Sequence, residues 1–255
     1  MKLKSRIYRL MERFLARFTD KIVCISEAEK NTAVNNNISN EDKISLIPNG
    51  IDIQAVISAV PKSRLEMNIS ETAFVVGMIG RISKQKAPDI FIKAAKLIKE
   101  HISNAVFIIV GDGDMRDEVK KYASENGLQL YISGWTDEPY SYLKVFDVAV
   151  LLSRWEGFGL AVVEYMAAEK NVVATRIDAL PTIIADGVDG LLVDVDSPED
   201  ACEKVLWLYN HPVEANLMRK KALSKVYDKF DIQRVVKQHI TMFYNLYNNY
   251  STTQL

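Results

Sequence analysis

AFVVGMIGRISKQKAPDIFIKAAKLIKEHISNAVFIIVG, residues 73–111, reads as strand, helix and strand. Its ends, AFVVGMIG (73–80) and AVFIIVG (105–111), are apolar runs of strand length rich in Val and Ile. Between them, Asp89 to Lys99 carries apolar residues at Ile90, Ala94, Leu97 and Ile98, the spacing of a helix with one apolar face. A strand apolar on both faces belongs in a parallel sheet covered by helices on both sides. The alternation extends outward. KIVCIS (21–26), KISLIP (43–48), LQLYIS (128–133), DVAVLLS (147–153), NVVAT (171–175) and GLLV (190–193) are further strand-length runs. Helical patterns over 118–125, 160–169 and 198–209 separate most of them. The fold class is therefore α/β, a doubly wound parallel sheet.

The two ends of the chain differ from this pattern. The first 21 residues carry Lys2, Lys4, Arg6, Arg9, Arg13, Arg17 and Lys21 against Glu12 and Asp20. Ile7, Leu10, Met11, Phe14, Leu15 and Phe18 recur at helical spacing, so residues 2–21 read as a basic amphipathic helix. Such a helix either packs on its own domain or lies on an anionic membrane. Ser26 and Glu29 form a capping box that opens a helix over 27–36. From Asp196 onward helix follows helix, ending in 231–249, and the tail STTQL (251–255) reads as frayed. A boundary falls between 53 and 72, where KISLIPNGID gives way to polar sequence.

The 255 residues hold 32 basic and 33 acidic side chains, a balance that argues against a general nucleic-acid-binding surface. No apolar stretch is long enough to span a bilayer and no secretory signal is read. A cytoplasmic location is expected, with peripheral contact at the inner face of the cell membrane through helix 2–21 as the alternative. Cys24 and Cys202 lie far apart, and His101, His211 and His239 are scattered, which excludes a disulfide scaffold and a zinc cluster. The 11 glycines all fall between Gly50 and Gly190 and point to turns.

In open α/β sheets ligands bind beyond the carboxyl ends of the strands. Four such ends stand out. In GRISKQKAP (80–88), Gly80 permits a sharp turn and Arg81, Lys84 and Lys86 gather positive charge suited to a diphosphate, unless the loop is merely a solvated one. GDGDMR (111–116) half-matches a dinucleotide fingerprint, but Arg116 stands at the third glycine position, so a tight turn is the better reading than an NAD site. SGWTDEPY (133–140) places Gly134 and Trp135 after a strand, where Trp135 either flanks a base or packs. In SRWEGFGLAVVEYMAAEK (153–170), Gly157 and Gly159 precede a helix from Leu160, whose backbone N–H groups suit a phosphate. Glu156 and Glu164 are separated by seven residues. Glu164 sits among apolar neighbours, so it needs a partner, either ligand hydroxyls or a structural Lys or Arg.

Taken in order, IPNGID (47–52), GRISKQKAP (80–88), VGDGDMR (110–116), SGWTDE (133–138), EGFGLAVVE (156–164) and DGVDGLLV (186–193) resemble the donor-binding half of GT-B glycosyltransferases, specifically the retaining family 4 enzymes. The resemblance runs from about Lys21 to Asp194. It implies transfer of a sugar, with retention, from a nucleotide-diphosphate sugar, most often UDP-linked, to a glycan or lipid-linked acceptor. Arg81 and Lys86 would hold the diphosphate and stabilise the leaving group. Glu156 would contact the sugar, which completes the catalytic set. Gly80, Gly134 and Trp135 belong to the nucleotide-sugar-binding turns; Gly157, Phe158, Gly159 and Leu160 would offer N–H groups to phosphate, and Glu164 would bind ribose hydroxyls. No cofactor and no metal are expected, because Arg and Lys take the part of a divalent cation.

Three departures from the family pattern matter. Ala87 stands where Gly is usual, and Thr182, in ALPTII (179–184), replaces an acid. The family has two Rossmann-like domains. Here residues 1–55 are expected to be a remnant of the acceptor-side domain, 56–230 the nucleotide-sugar-binding domain, and 231–255 a crossover helix and tail. A protein partner supplying the acceptor half is then expected, or else a non-catalytic nucleotide-sugar-binding subunit.

Overall fold

The computed structural model describes residues 2–253, with the side chains of 6–248. The chain divides into two units, one of Met1–Ile51 with Lys229–Leu255, the other of Asp52–Asp228.

The smaller unit opens with α1 (Lys2–Ala16), β1 (Ile22–Cys24), α2 (Glu27–Asn35) and β2 (Ile44–Leu46), and β1 pairs in parallel with β2. The expected helix over 2–21 stops at Ala16. There the Lys43 ammonium donates to the carbonyls of Ala16 and Thr19, satisfying acceptors left open at the helix end. The orientation of α1 reverses that of an ordinary surface helix. Arg9 and Arg13 donate to the side-chain and backbone oxygens of Asn36, and Ala16 is buried. Ile7, Leu10, Met11, Phe14, Leu15 and Phe18 are all exposed. Half of the expected capping box forms: Ser26 accepts the Glu29 amide, while the Glu29 carboxylate accepts the amide of Ile25, one residue ahead of the cap, in place of that of Ser26.

The larger unit starts with α3 (Ile53–Ser58), which Asp52 caps by accepting the Ala55 amide. A short helix thus begins within the stretch read as a polar boundary. Then come β3 (Phe74–Ile79), α4 (Pro88–His101), β4 (Ala105–Val110), α5 (Arg116–Glu125), β5 (Leu130–Ile132), α6 (Pro139–Leu143), β6 (Val148–Leu151), α7 (Leu160–Ala167), β7 (Asn171–Thr175), α8 (Leu180–Ile183), β8 (Leu191–Val193), α9 (Pro198–Asn210) and α10 (Pro212–Lys229). The strands form one parallel sheet in the order β5-β4-β3-β6-β7-β8. β4 and β6 are buried along their whole length, which is why their sequences are unbroken apolar runs. α4 starts on Pro88 at its first turn with Asp89 beside it, and its buried stripe of Ile90, Phe91, Ala94, Ala95 and Ile98 covers the sheet. Each such fully buried Ile or Phe contributes about 1.5–3 kcal/mol.

α11 (Ile232–Thr253) completes the smaller unit: Asp231 bridges Ile51, and Gly50 lies against Ile232 and Val235. The helix continues through Thr253 into the tail read as frayed; Gln254 and Leu255 lie outside the described residues.

In the large sheet the chain travels from β3 outward to β5 on one side and from β6 outward to β8 on the other. The direction reverses between β3 and β6. That is the topological switch point, where the carboxyl ends of two adjacent strands feed loops that diverge and leave a crevice.

Candidate active site

The β3 end leads into Gly80 and Arg81. Gly111, after β4, comes so close to it that a Cβ there would stand 2.1 Å from the Gly80 carbonyl oxygen, and its φ of +144° also favours glycine. Arg81 is exposed, and its guanidinium has no hydrogen-bond or ion-pair partner among the described residues. The aliphatic stem of Lys86 lies over Gly80, 3.6 Å from where its Cβ would be. Lys84 contributes only its carbonyl, to Arg154. Ala87 is fully buried with φ +49° and ψ +53°, the left-handed region, which explains why glycine is usual there.

The β6 end carries Ser153 to Glu156. Lys86 donates to Glu156 Oε2 at 2.6 Å, and the Ser153 hydroxyl donates to the same oxygen at 3.0 Å. The side chains of Lys86 and Glu156 are only 17% and 10% exposed, so this ion pair sits largely out of water. The Glu156 amide donates to Asp178 Oδ2 at 2.8 Å. Arg154 ties the two loops together. It grips Asp89 in a two-pronged contact at 3.0 and 2.6 Å, reaches Asp196 at 2.6 Å, and donates to the Lys84 carbonyl at 3.0 Å. Burial alone raises the Asp89 carboxyl; Arg154 more than offsets this and holds it below the ordinary carboxylate range.

Gly157, Phe158 and Gly159 form the turn into α7, and no side chain caps the helix, which begins at Leu160. Gly159 has φ +99°, and a Cβ there would meet Leu180 Cδ2 at 2.4 Å. Phe158 is buried, anchoring the turn. One turn into α7, Glu164 finds its partner in neither Lys nor Arg: the Tyr140 hydroxyl of α6 donates to Oε1 at 2.9 Å. Burial raises the Glu164 carboxyl above its ordinary value, against the opposing influence of Tyr140 and of Lys86. The next residue, Tyr165, is fully buried and binds both the amide and the carbonyl of Ile79, pinning α7 to the end of β3.

GDGDMR makes the expected tight turn. Arg116, at the third glycine position of the fingerprint, folds back on Asp112 at 2.9 Å, and Gly134 bridges Gly111. Trp135 is 78% exposed, so it is not a packing residue. A cavity of about 260 Å³ opens here, lined by Gly80, Arg81, Gly111, Asp112, Trp135 and Pro139 among others. The structure thus brings Gly80, Arg81 and Trp135 to one cavity, Lys86 and Glu156 into one ion pair, and Glu164 to Tyr140, next to cavity-lining Pro139. Sequence reasoning did not single out Tyr140, Arg154, Asp89 or Asp178 as site residues. Thr182 spends its hydroxyl on the Ala179 carbonyl. Among the described residues no group of three or more His, Cys, Asp or Glu is placed to hold a metal ion.

A parallel sheet with cations and an uncapped helix at its switch point defines a Rossmann-like α/β protein with a ligand-binding crevice. The fold has solved counterparts. Anabaena HepE, crystallised in complex with UDP, matches with TM-score 0.82 at 20% identity, covering 90% of this chain and 65% of that one. A mutant of Staphylococcus aureus TarM, in complex with fondaparinux, alpha-GlcNAc-glycerol and UDP, matches with TM-score 0.75 at 26% identity, over 89% and 44%. The chain belongs to the glycosyl transferases group 1 family, whose model matches residues 60–225, and a glycosyltransferase family 4 model matches residues 1–55. Among characterised relatives, the UDP-Gal:alpha-D-GlcNAc-diphosphoundecaprenol alpha-1,3-galactosyltransferase of Escherichia coli is 30% identical over 238 residues, 90% of this chain. The chain spans 61% of that relative's length.

Proposed function

We propose that the chain acts as a glycosyltransferase on a nucleotide-diphosphate sugar, with UDP as the nucleotide, and transfers the sugar with retention to a glycan or lipid-linked acceptor. The observation that carries this reading is Arg81: an exposed guanidinium without a partner among the described residues, at the switch point, beside a lysine already held in place. A charge without a partner among the described residues is available to a ligand, and a guanidinium fork matches a phosphate.

The remaining roles follow from position. Arg81 and Lys86 bind the diphosphate and stabilise the negative charge that develops on it as the glycosidic bond breaks, taking the part that a divalent cation plays elsewhere. The uncapped start of α7 at Gly157 to Leu160 gives N–H groups to a phosphate. Trp135 and the cavity beside it flank the base, and Glu164 accepts from the ribose. Glu156, held by Lys86 and Ser153, faces the sugar. The named donor and lipid-linked acceptor of the E. coli relative support this reading of substrate class.

The test is turnover of a UDP-sugar with a lipid-linked sugar acceptor, with the product anomer read by NMR and the assay repeated in EDTA. A product of the donor's anomeric configuration, formed equally with and without chelator, is expected. An inverted product, or activity abolished by chelation, contradicts the mechanism. Tight UDP binding with no turnover favours the second reading, a nucleotide-sugar-binding subunit that works with a partner. Peripheral membrane contact through α1 is supported by its exposed apolar stripe. Co-sedimentation with anionic vesicles that is lost in a Phe14→Asp, Phe18→Asp variant is the expected result; no co-sedimentation of the parent chain excludes it.

A further inference from the structure

We propose that Tyr140 is a positioning residue of the donor site: its hydroxyl fixes the Glu164 carboxylate so that Oε2 is left to accept from the ribose of the nucleotide. This deepens the nucleotide-sugar reading of the site and rests on it. The geometry is specific. Tyr140 donates to Oε1 at 2.9 Å across 24 residues of sequence, and Oε2 has no partner among the described residues. α6, which carries Tyr140, begins at Pro139, a residue that lines the cavity holding Arg81 and Trp135. The hydroxyl therefore links the wall of the nucleotide cavity to the carboxylate one turn into α7.

A half-buried carboxylate pays for lost hydration unless hydrogen bonds replace the water. Glu164 is faced by Tyr140 from α6 and by Lys86 ahead of α4. Its neighbour Tyr165 is occupied with the backbone of Ile79, and Asp52 at the start of α3 acts on Tyr140 from a second direction. Burial raises the Glu164 carboxyl, and the Tyr140 hydrogen bond is the larger of the two influences that lower it. Without the hydroxyl, the carboxylate protonates at higher pH and loses the acceptor that a ribose hydroxyl needs.

The experiment is calorimetric titration of the intact chain with UDP across about pH 5 to 8, for the parent, Tyr140→Phe, Glu164→Gln and the double variant. Tyr140→Phe is expected to weaken UDP by up to about tenfold at neutral pH, because the Glu164 carboxylate loses its fixed orientation and part of its charge. It is also expected to move the acid limb of the affinity profile to higher pH. Glu164→Gln is expected to abolish the limb, and adding Tyr140→Phe to it to change nothing further. An unshifted limb, or an equal loss on the Gln background, overturns the proposal while leaving UDP binding by the parent intact. A parent that binds no UDP overturns the donor reading and this proposal with it.

Discussion

Ala87 holds φ +49° and ψ +53° while fully buried. The left-handed backbone costs an alanine about 1–2 kcal/mol. Replacing it by glycine relieves that strain, but loses about 0.8 kcal/mol of methyl burial and about 0.4–1 kcal/mol through the more flexible unfolded chain. Ala87→Gly is therefore expected to stay within about 1 kcal/mol of the parent in urea unfolding, and Ala87→Val, β-branched at a left-handed position, to cost more than about 2 kcal/mol. That balance explains how alanine is tolerated beside Lys86. At Glu164 the raised carboxyl makes stability and ligand binding respond oppositely to acid. The folded state holds the proton more tightly than the unfolded one, so this group's contribution to stability improves as pH falls through its raised folded value. UDP affinity falls over the same window, because the protonated acid is a poorer acceptor. Glu164→Gln is accordingly expected to raise the melting temperature slightly while weakening UDP about tenfold; a variant that loses both together makes Glu164 structural.

Between elements, the decisive device is Arg154, which ties the loop after β6 to the start of α4 through Asp89 and to the turn before α9 through Asp196. With side-chain exposures of 17% and 21%, Arg154 and Asp89 are shielded enough that removing one strands the other. Arg154→Ala is expected to cost about 2 kcal/mol in urea unfolding and to loosen UDP by freeing the Lys86 loop. Lys in its place is expected to recover little, because a point charge cannot make the two-pronged contact. Neither Arg154 nor Tyr140 stands out in the sequence, because their partners lie 65 and 24 residues away. All eight strands fall within apolar runs legible there; burial on both faces accounts for the unbroken runs of β4 and β6, whereas β1, β2 and β5 are only partly buried. α3, α6 and α8, at 6, 5 and 4 residues, are too short for a helical period to show. The turn motifs around Gly80, Gly111 and Gly159 are legible because left-handed backbone, with steric crowding at Gly111 and Gly159, favours glycine.

At the scale of the molecule, two units differ in how completely they bury their apolar surface. The larger closes a six-stranded sheet between helices, and its order alone puts the crevice between β3 and β6. The smaller has a two-stranded sheet, and α1 presents its apolar stripe outward while its arginines bind Asn36. Helical spacing in the sequence locates that stripe, yet does not say which way it faces: amphipathicity specifies two faces and not which one meets the neighbouring element. The central claim concerns the larger unit, that its switch point binds a nucleoside diphosphate through a cation kept free for it. The most direct test compares the affinity of the intact chain for UDP and UMP, before and after Arg81→Ala. Arg81 is exposed and unpaired among the described residues, so the substitution is expected to change stability by no more than about 0.5 kcal/mol. UDP is expected to bind at least about tenfold more tightly than UMP, and the variant to lose most of that preference. UDP and UMP bound equally by the parent, or a preference unchanged in the variant, contradicts the account.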